Sequence, residues 1–345
     1  MIPVDEYVAG VEREFDVRRL AAEPLELDTL YFGGGTPSRL GADGVARLVD
    51  TIRARVALAP DAEVTLEANP EDVTPAAAAA WGAAGVNRLS LGAQSFDDRI
   101  LQWMHRTHDA PAIARAVDAA RASGIDNISL DLIFALPENL DRAWDADLSR
   151  ALALSPQHVS LYGLTIEPHT PLGRAHRRGQ LAESPDERYE REFLLAHEVL
   201  TGAGFEHYEV SNYGLPGRAS RHNSAYWSGA AYAGLGPSAH GYDGCTRRWN
   251  RSAYVDWLAS LHADCDPLEG REELTAENRA AEAVYLGLRT VNGLVMEQGE
   301  SGHVAPWVEA GWAAIAEREQ LVLTPSGWLR LDALAADLTV VRSRY

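Results

Sequence analysis

The feature that most constrains this 345-residue chain is an alternation: short β-type runs alternate with helix-patterned stretches through its first two-thirds. A parallel neighbour is reached only by a crossover long enough to hold a helix, so this pattern argues for βα units around a parallel sheet. The expected strands are residues 28–32, 63–68, 87–92, 127–133, 158–164 and 206–210. The expected amphipathic helices are 5–20, 42–56, 111–123, 141–154 and 185–202, and the alanine run 76–80 also reads as helix. Six strands with helical crossovers allow two α/β solutions, an open or partial barrel and a flat doubly wound sheet.

The pattern changes after residue 244. Residues 245–270 read as an irregular linker between a large unit, 1–244, and a small α+β unit, 271–345. In the small unit, residues 309–319 are expected as a helix, and LVLTPSGWLRL as a β-hairpin turning at Pro-Ser-Gly, together a winged-helix shape. That shape suggests DNA binding, but the stretch is rich in acids and poor in arginine. Across the chain 31 basic residues face 50 acids, a net charge of −19, and such a surface repels phosphate backbones. Nucleic acid is therefore excluded as a partner. All 31 basic residues are arginine, which removes Schiff-base and P-loop lysine chemistry. No apolar run approaches the ~20 residues of a membrane span, and the acidic N-terminus lacks signal-peptide order, so a cytoplasmic protein is expected.

Three motifs carry chemistry. YFGGGTPS (31–38) puts three glycines at a strand's C-terminal end, where the absence of Cβ atoms lets a ligand approach the backbone; the plainer reading is a tight βα turn. Glu67, Gln94 and Asp131 stand at or near the ends of successive strands, Asp131 inside the apolar run SLDLIF. A carboxylate there is costly unless something satisfies it, and barrel enzymes place their sites at strand ends. Arg106, in WMHRTH, suits an anionic group such as a carboxylate. The third motif is RHNSAYW (221–227): His222 could offer an axial imidazole, and Tyr226 and Trp227 flat apolar faces, although a lone histidine is more often structural.

GGGTPS, LEANP, NRLSLGAQSF, HRTH, LDLIFALP and LYGLTIEPHTPL, in this order and spacing, resemble the radical S-adenosylmethionine (SAM) family of oxygen-independent coproporphyrinogen III oxidases and heme chaperones. The likeness runs over almost the whole chain. It implies a partial (βα)6-type radical SAM barrel followed by the small winged-helix-like α+β domain. It also implies SAM as cofactor, with Gly34, Gly35 and Thr36 on the methionyl amino group, Glu67 assisting, Gln94 and Asp131 on the ribose and Arg106 on the carboxylate. RHNSAYW resembles the HNxxYW signature of the heme-chaperone branch. That implies heme held by His222, Asn223, Tyr226 and Trp227, with His222 on the iron and His240 as a second contact, and heme-acceptor proteins as partners, with peripheral association with membranes through them.

The family also implies a [4Fe–4S] cluster on a CxxxCxxC loop, expected before Tyr7 and not found in this sequence. Cys245 and Cys265 are the two cysteines, wrongly placed and spaced to replace it. The expectation is thus a heme chaperone whose chain, as written, lacks the cluster ligands. The alternative, a radical oxidase of porphyrinogen propionates, requires them. A third reading is a docking module that uses the winged-helix shape on a protein partner.

Overall fold

A computed structural model describes residues 3–20, 26–168 and 170–343. Strands β1 (Glu26–Phe32), β2 (Ala57–Ala68), β3 (Arg88–Gln94), β4 (Asn127–Phe134) and β5 (His158–Gly163) run parallel. The sheet ends in an antiparallel hairpin of β6 (Glu206–Glu209) and β7 (Asn212–Gly214), in the order β1-β2-β3-β4-β5-β7-β6. β1 and β6 are its two edges, so the barrel is open. The last expected strand is therefore no sixth parallel member: it is the outer arm of a hairpin whose inner strand, only three residues long, lies against β5. β2 begins six residues before residue 63, and Pro60 falls where the β1–β2 register shifts, a place that asks for no ladder hydrogen bond.

Helix α1 (Val4–Val17) precedes the sheet, and α2 (Gly41–Arg53), α3 (Pro75–Ala84), α4 (Asp98–Trp103), α5 (Ala110–Ala122), α6 (Trp144–Ala153), α7 (Pro171–Arg177) and α8 (Asp186–Gly202) fill the connections. The strands alternate with period two. One face carries Val64 and Leu66, Leu89 and Leu91, Ile128, Leu130 and Leu132, Val159 and Leu161, all buried in the main core against the helices. The other face carries Glu63, Thr65 and Glu67, Arg88 and Ser90, Ser129 and Asp131, His158 and Ser160, and makes a polar lumen. Most of this set is also buried, so the lumen wall is a polar surface withdrawn from solvent.

Helix α9 (Arg221–Trp227) leaves the hairpin and lies on β1. A second, antiparallel sheet, β10-β9-β8, contains β8 (His240–Tyr242), β9 (Thr246–Asn250) and β10 (Leu268–Glu273), with α10 (Tyr254–His262) between the last two. The expectation of an irregular stretch at 245–270 is corrected here. Trp257 of α10 is wholly buried against Val8 and Val11 of α1, and its indole N–H donates to Glu14 Oε2 at 2.9 Å. The spacing of Trp257, Leu258 and Leu261 fits one helix face, but their partner on α1 is remote in the chain and has no local trace.

The C-terminal region holds α11 (Ala276–Arg289), β11 (Leu294–Val295), α12 (Ser301–Glu309), β12 (Ala313–Ala316), β13 (Gln320–Leu323), α13 (Pro325–Trp328) and α14 (Leu331–Arg342), with sheet order β11-β13-β12. Helix, strand, helix and hairpin follow in winged-helix order. The expected helix at 309–319 is instead the end of α12 and strand β12. Gly311, at φ +73°, stops the helix, and Ala313–Ala316 pairs with β13 despite its alanine content. The hairpin turns at Glu317–Glu319, while Pro325 opens α13, capped by Thr324 Oγ1, which accepts from Gly327 N at 3.2 Å.

Candidate functional site

The glycines that leave β1 are fixed by the strand beside them. Gly34 has φ +101°, a conformation L side chains avoid, and its N–H donates to Glu67 Oε2 at 3.2 Å. The other carboxylate oxygen accepts from the Tyr31 hydroxyl at 2.6 Å. A Cβ on Gly33 would fall 2.4 Å from the Tyr31 ring and 2.8 Å from Glu67 Oε1, so only glycine lets the carboxylate lie against the turn. A Cβ on Gly34 or Gly35 would meet nothing within 4 Å: the turn presents bare backbone to open space. Thr36 heads a short 3₁₀ turn, Pro37–Leu40, without capping it. Burial, followed by the charge of Glu67, holds the Tyr31 phenol far above its ordinary pKa, so it remains a donor.

Asp131 lies two strands further round. Ser90 Oγ lies 3.0 Å from each of its oxygens, and Ser129 Oγ donates to Oδ1 at 3.2 Å. Burial pushes its pKa up to about 6, with hydrogen bonds from Ser160 and Ser90 holding back part of the rise. Gln94 ends β3 buried, at φ +64°, a conformation uncommon for a non-glycine residue and typical of functional sites. Gly92 makes room for it, since a Cβ there would fall 2.8 Å from Gln94 Nε2. Arg106, in the loop after α4, reaches Asn69 Oδ1 at 3.5 Å. It lines a separate cleft of about 940 Å³ beside α5, along with Glu71.

The seven-residue α9 depends on its surroundings. Ser220 Oγ accepts from Asn223 N, and the buried Glu63 carboxylate accepts from Arg221 N at 3.1 Å and His222 N at 3.0 Å. A carboxylate at a helix N-terminus satisfies orphan donors and favours the dipole. The imidazole of His222 stacks on Tyr31, with centroids 4.7 Å apart, and meets Tyr226 edge-on. Nδ1 bonds Thr29 Oγ1 at 2.8 Å and Nε2 bonds the Tyr226 hydroxyl at 2.9 Å. Burial lowers its pKa to about 4, against the pull of Glu63 and with the help of Arg88, so the ring is neutral at pH 7. His222, Tyr226 and His240 line the same cleft of about 1860 Å³ as Thr29, Tyr31 and Gly34. Trp227 faces away, under the Arg289 guanidinium of α11 at 4.0 Å, and Asn223, four residues before it, shares that side of the helix.

The structure thus brings Gly34, Glu67 and His222 together through Tyr31, and sets Asp131 and Gln94 along the same lumen. It separates Arg106, Asn223 and Trp227 from the large cleft. Sequence reasoning missed Tyr31, Ser90, His158, Glu63 and Arg88. A signal existed in the period-two runs Arg88-Leu-Ser90, Ser129-Leu-Asp131 and His158-Val-Ser160, which put polar side chains on one face of buried strands.

Residues 10–148 match the family model of the radical SAM superfamily. A Synechocystis sp. protein named heme chaperone HemW is 40% identical over 299 residues, 86% of this chain and 72% of that protein. A Mycobacterium tuberculosis protein of the same name is 37% identical over 339 residues, 97% and 86% of the two chains. Among solved structures, the Escherichia coli coproporphyrinogen III oxidase HemN, a radical SAM enzyme, superposes with a TM-score of 0.80 at 21% identity, covering 97% of this chain and 83% of that one. That likeness places the open barrel in the radical SAM fold. At this identity and coverage the chain belongs to the heme chaperone HemW family of radical SAM proteins.

Proposed function

We propose that this chain binds heme at α9 and hands it to acceptor proteins, with SAM held in the lumen above. The observation that carries the reading is His222: a neutral imidazole, clamped between Tyr31 and Tyr226, on the wall of a cleft large enough for a porphyrin. Both ring nitrogens are engaged, so coordination of iron exchanges the Tyr226 bond at Nε2 for a metal bond, while Thr29 keeps the ring oriented through Nδ1. Tyr226 and His240, which line the same cleft, complete the pocket. Asn223 and Trp227 act one step back, seating α9 against α11.

For SAM, the Gly34 and Gly35 backbone, Thr36 and Glu67 form an amino-group site, since a carboxylate beside bare backbone attracts an ammonium. Asp131 and Gln94 meet the ribose hydroxyls as acceptors. Arg106, in the separate cleft beside α5 and next to Asn69 just after β2, is the cation assigned to the carboxylate.

The radical SAM family implies a [4Fe–4S] cluster, which takes three protein thiolates. Cys245 lies in the turn before β9 and Cys265 in the loop after α10, both exposed, and neither is on the barrel strands. Among the described residues no three His, Cys, Asp or Glu side chains converge as a metal would need. These residues do not fit the cluster, and no step is derived through it. The chaperone reading rests on the heme chaperone relatives and on the RHNSAYW helix. No helix among the described residues is long and apolar enough to cross a membrane.

Titration of the protein with hemin, followed at the Soret band, tests the reading. His222→Ala should weaken binding at least about tenfold, roughly 1.4 kcal/mol, because stacking does not replace a metal bond. Equal affinities would remove His222 from the iron.

A further inference from the structure

Three buried polar atoms on the lumen wall have no hydrogen-bond partner, and their residues are neighbours. Thr65 pairs with Arg88, and Arg88 with Asn127, in one row across β2, β3 and β4. Thr65 Oγ1, Arg88 Nε and Asn127 Oδ1 are all unpartnered. Arg88 is 1% exposed, and its guanidinium makes no ion pair or hydrogen bond with a described residue.

A buried guanidinium with no hydrogen-bonded partner leaves strong donors unsatisfied, which is costly in a core. The carboxylates of the lumen attract it at a distance, Asp131 among them, but each makes its hydrogen bonds elsewhere and leaves the fork of the guanidinium unused. Glu63 accepts from the first amides of α9, Glu67 from Tyr31 and Gly34, and Asp131 from Ser90 and Ser129. The Arg88 charge is nonetheless felt by Tyr31, Asp131, His158, Tyr208 and His222, which puts it centrally, between the glycine turn and α9. What the row offers is a forked cation, a hydroxyl and an amide, whose oxygen and nitrogen exchange by a flip. Together these match the two oxygens of a carboxylate.

We propose that the lumen floor is a carboxylate-binding subsite, in which Arg88, flanked by Thr65 and Asn127, receives a carboxylate of the bound ligand. That the carrier is a heme propionate rests on the reading of α9 above. Tyr31 stacks on His222 and pairs with Thr65, which pairs in turn with Arg88. The floor is therefore about two inter-strand spacings, roughly 10 Å, from the imidazole, within the half-width of a porphyrin and its side arms.

The test uses the whole chain, two probes and two variants. Thermal unfolding in sodium propionate, against sodium chloride at equal ionic strength, reads the subsite without heme. Soret titration with hemin and with hemin dimethyl ester reads the carrier. Ligand-free Arg88→Met should melt at or above the wild type, because it deletes a buried cation that has no hydrogen-bonded partner and keeps the volume. Propionate should raise the melting temperature of the wild type and not of Arg88→Met. Hemin should bind the wild type about tenfold more tightly than its ester, and that preference should vanish in Arg88→Met.

A propionate effect without any hemin binding upholds the subsite and removes the α9 reading. Equal binding of acid and ester by the wild type, with no propionate effect, overturns the subsite. So does a sharp loss of ligand-free stability in Arg88→Met, which would make the guanidinium a structural counter-ion. Should Arg88→Met not fold, Arg88→Lys decides: the cation without the fork should keep a smaller propionate shift, and an unchanged shift overturns the assignment.

Discussion

Asp131 shows how much one residue discloses before any coordinates are known. A carboxylate in the middle of SLDLIF is conspicuous because a buried strand rarely tolerates one, and the structure does place it on the lumen wall, hydrogen-bonded to Ser90 and Ser129. Ser129, two residues away on the same strand, was within reach of the period-two pattern, but Ser90 was not legible as a partner, since its contact depends on inter-strand register, which no local pattern reports. The raised pKa, about 6, has a direct consequence on the proposed assignment. Only the ionised carboxylate accepts from both ribose hydroxyls, so SAM affinity should be full at pH 7.5 and fall as pH drops through 6. Calorimetry with SAM at pH 7.5 should show a weak isotherm that Asp131→Ala abolishes. An isotherm equal in the variant, or unchanged between pH 7.5 and 5.5, would take Asp131 out of the pocket.

At the scale of elements, what was legible and what was not divide along a physical line. The strands β1 to β5 and the long crossover helices follow from periodicity, because each buries one face against the same core. Among the elements missed, three are plainly held from outside: β7 by the antiparallel turn back onto β5, α10 by the packing of Trp257 on α1, and β12 by pairing with β13. The candidate site divides the same way. Its glycine turn, Glu67 and His222 were legible as motifs, while the tyrosine that joins them was not. Helix α9 is the clearest dependent case, since seven residues are too few for a stable helix alone. Its first amides are satisfied by Glu63, a residue 157 positions before Ser220 in the chain. Glu63→Ala would leave those N–H groups buried without an acceptor and should cost about 1–3 kcal/mol. Urea unfolding checks the stability, and the Soret titration should weaken in parallel, because His222 is the second residue of the helix. Unchanged stability and unchanged affinity would show that α9 is held by its aromatic side chains alone.

The molecule as a whole is an acidic chain whose only bases, at neutral pH, are arginines, and several of them are buried with carboxylates: Arg18 with Glu14, Arg142 with Asp147 and Glu192, Arg289 with Glu209. A guanidinium does not lose its proton near neutrality, so the pH response of the fold in the mild range falls to histidine. Burial holds His158 well below its usual pKa and brings His207 down to about 3 and His222 to about 4. The sign follows from where the protons go. As pH falls through 6.5, the unfolded chain protonates these imidazoles and the folded chain does not, so stability must decrease. Each proton taken up only by the unfolded state contributes a slope of about 1.4 kcal/mol per pH unit, and His158 and His207, both buried, should each approach that slope. Below about pH 6 the effect meets an opponent: Asp131 then binds a proton in the folded state that the unfolded chain, with an ordinary carboxylate, does not yet bind. One carboxylate proton offsets only one of the imidazole protons, so the stability profile should steepen as pH falls from 7.5 to 6 and go on falling below it, by about one proton less than the imidazoles alone would give. Urea midpoints measured in small pH steps would show this shape. His207→Phe, which keeps a ring stacked on Tyr213, should reduce the slope above pH 6 by as much as one proton. A profile that is flat or rising between pH 7.5 and 6 would mean that the buried imidazoles are charged in the folded protein, and the neutral His222 on which iron coordination depends would be lost with them.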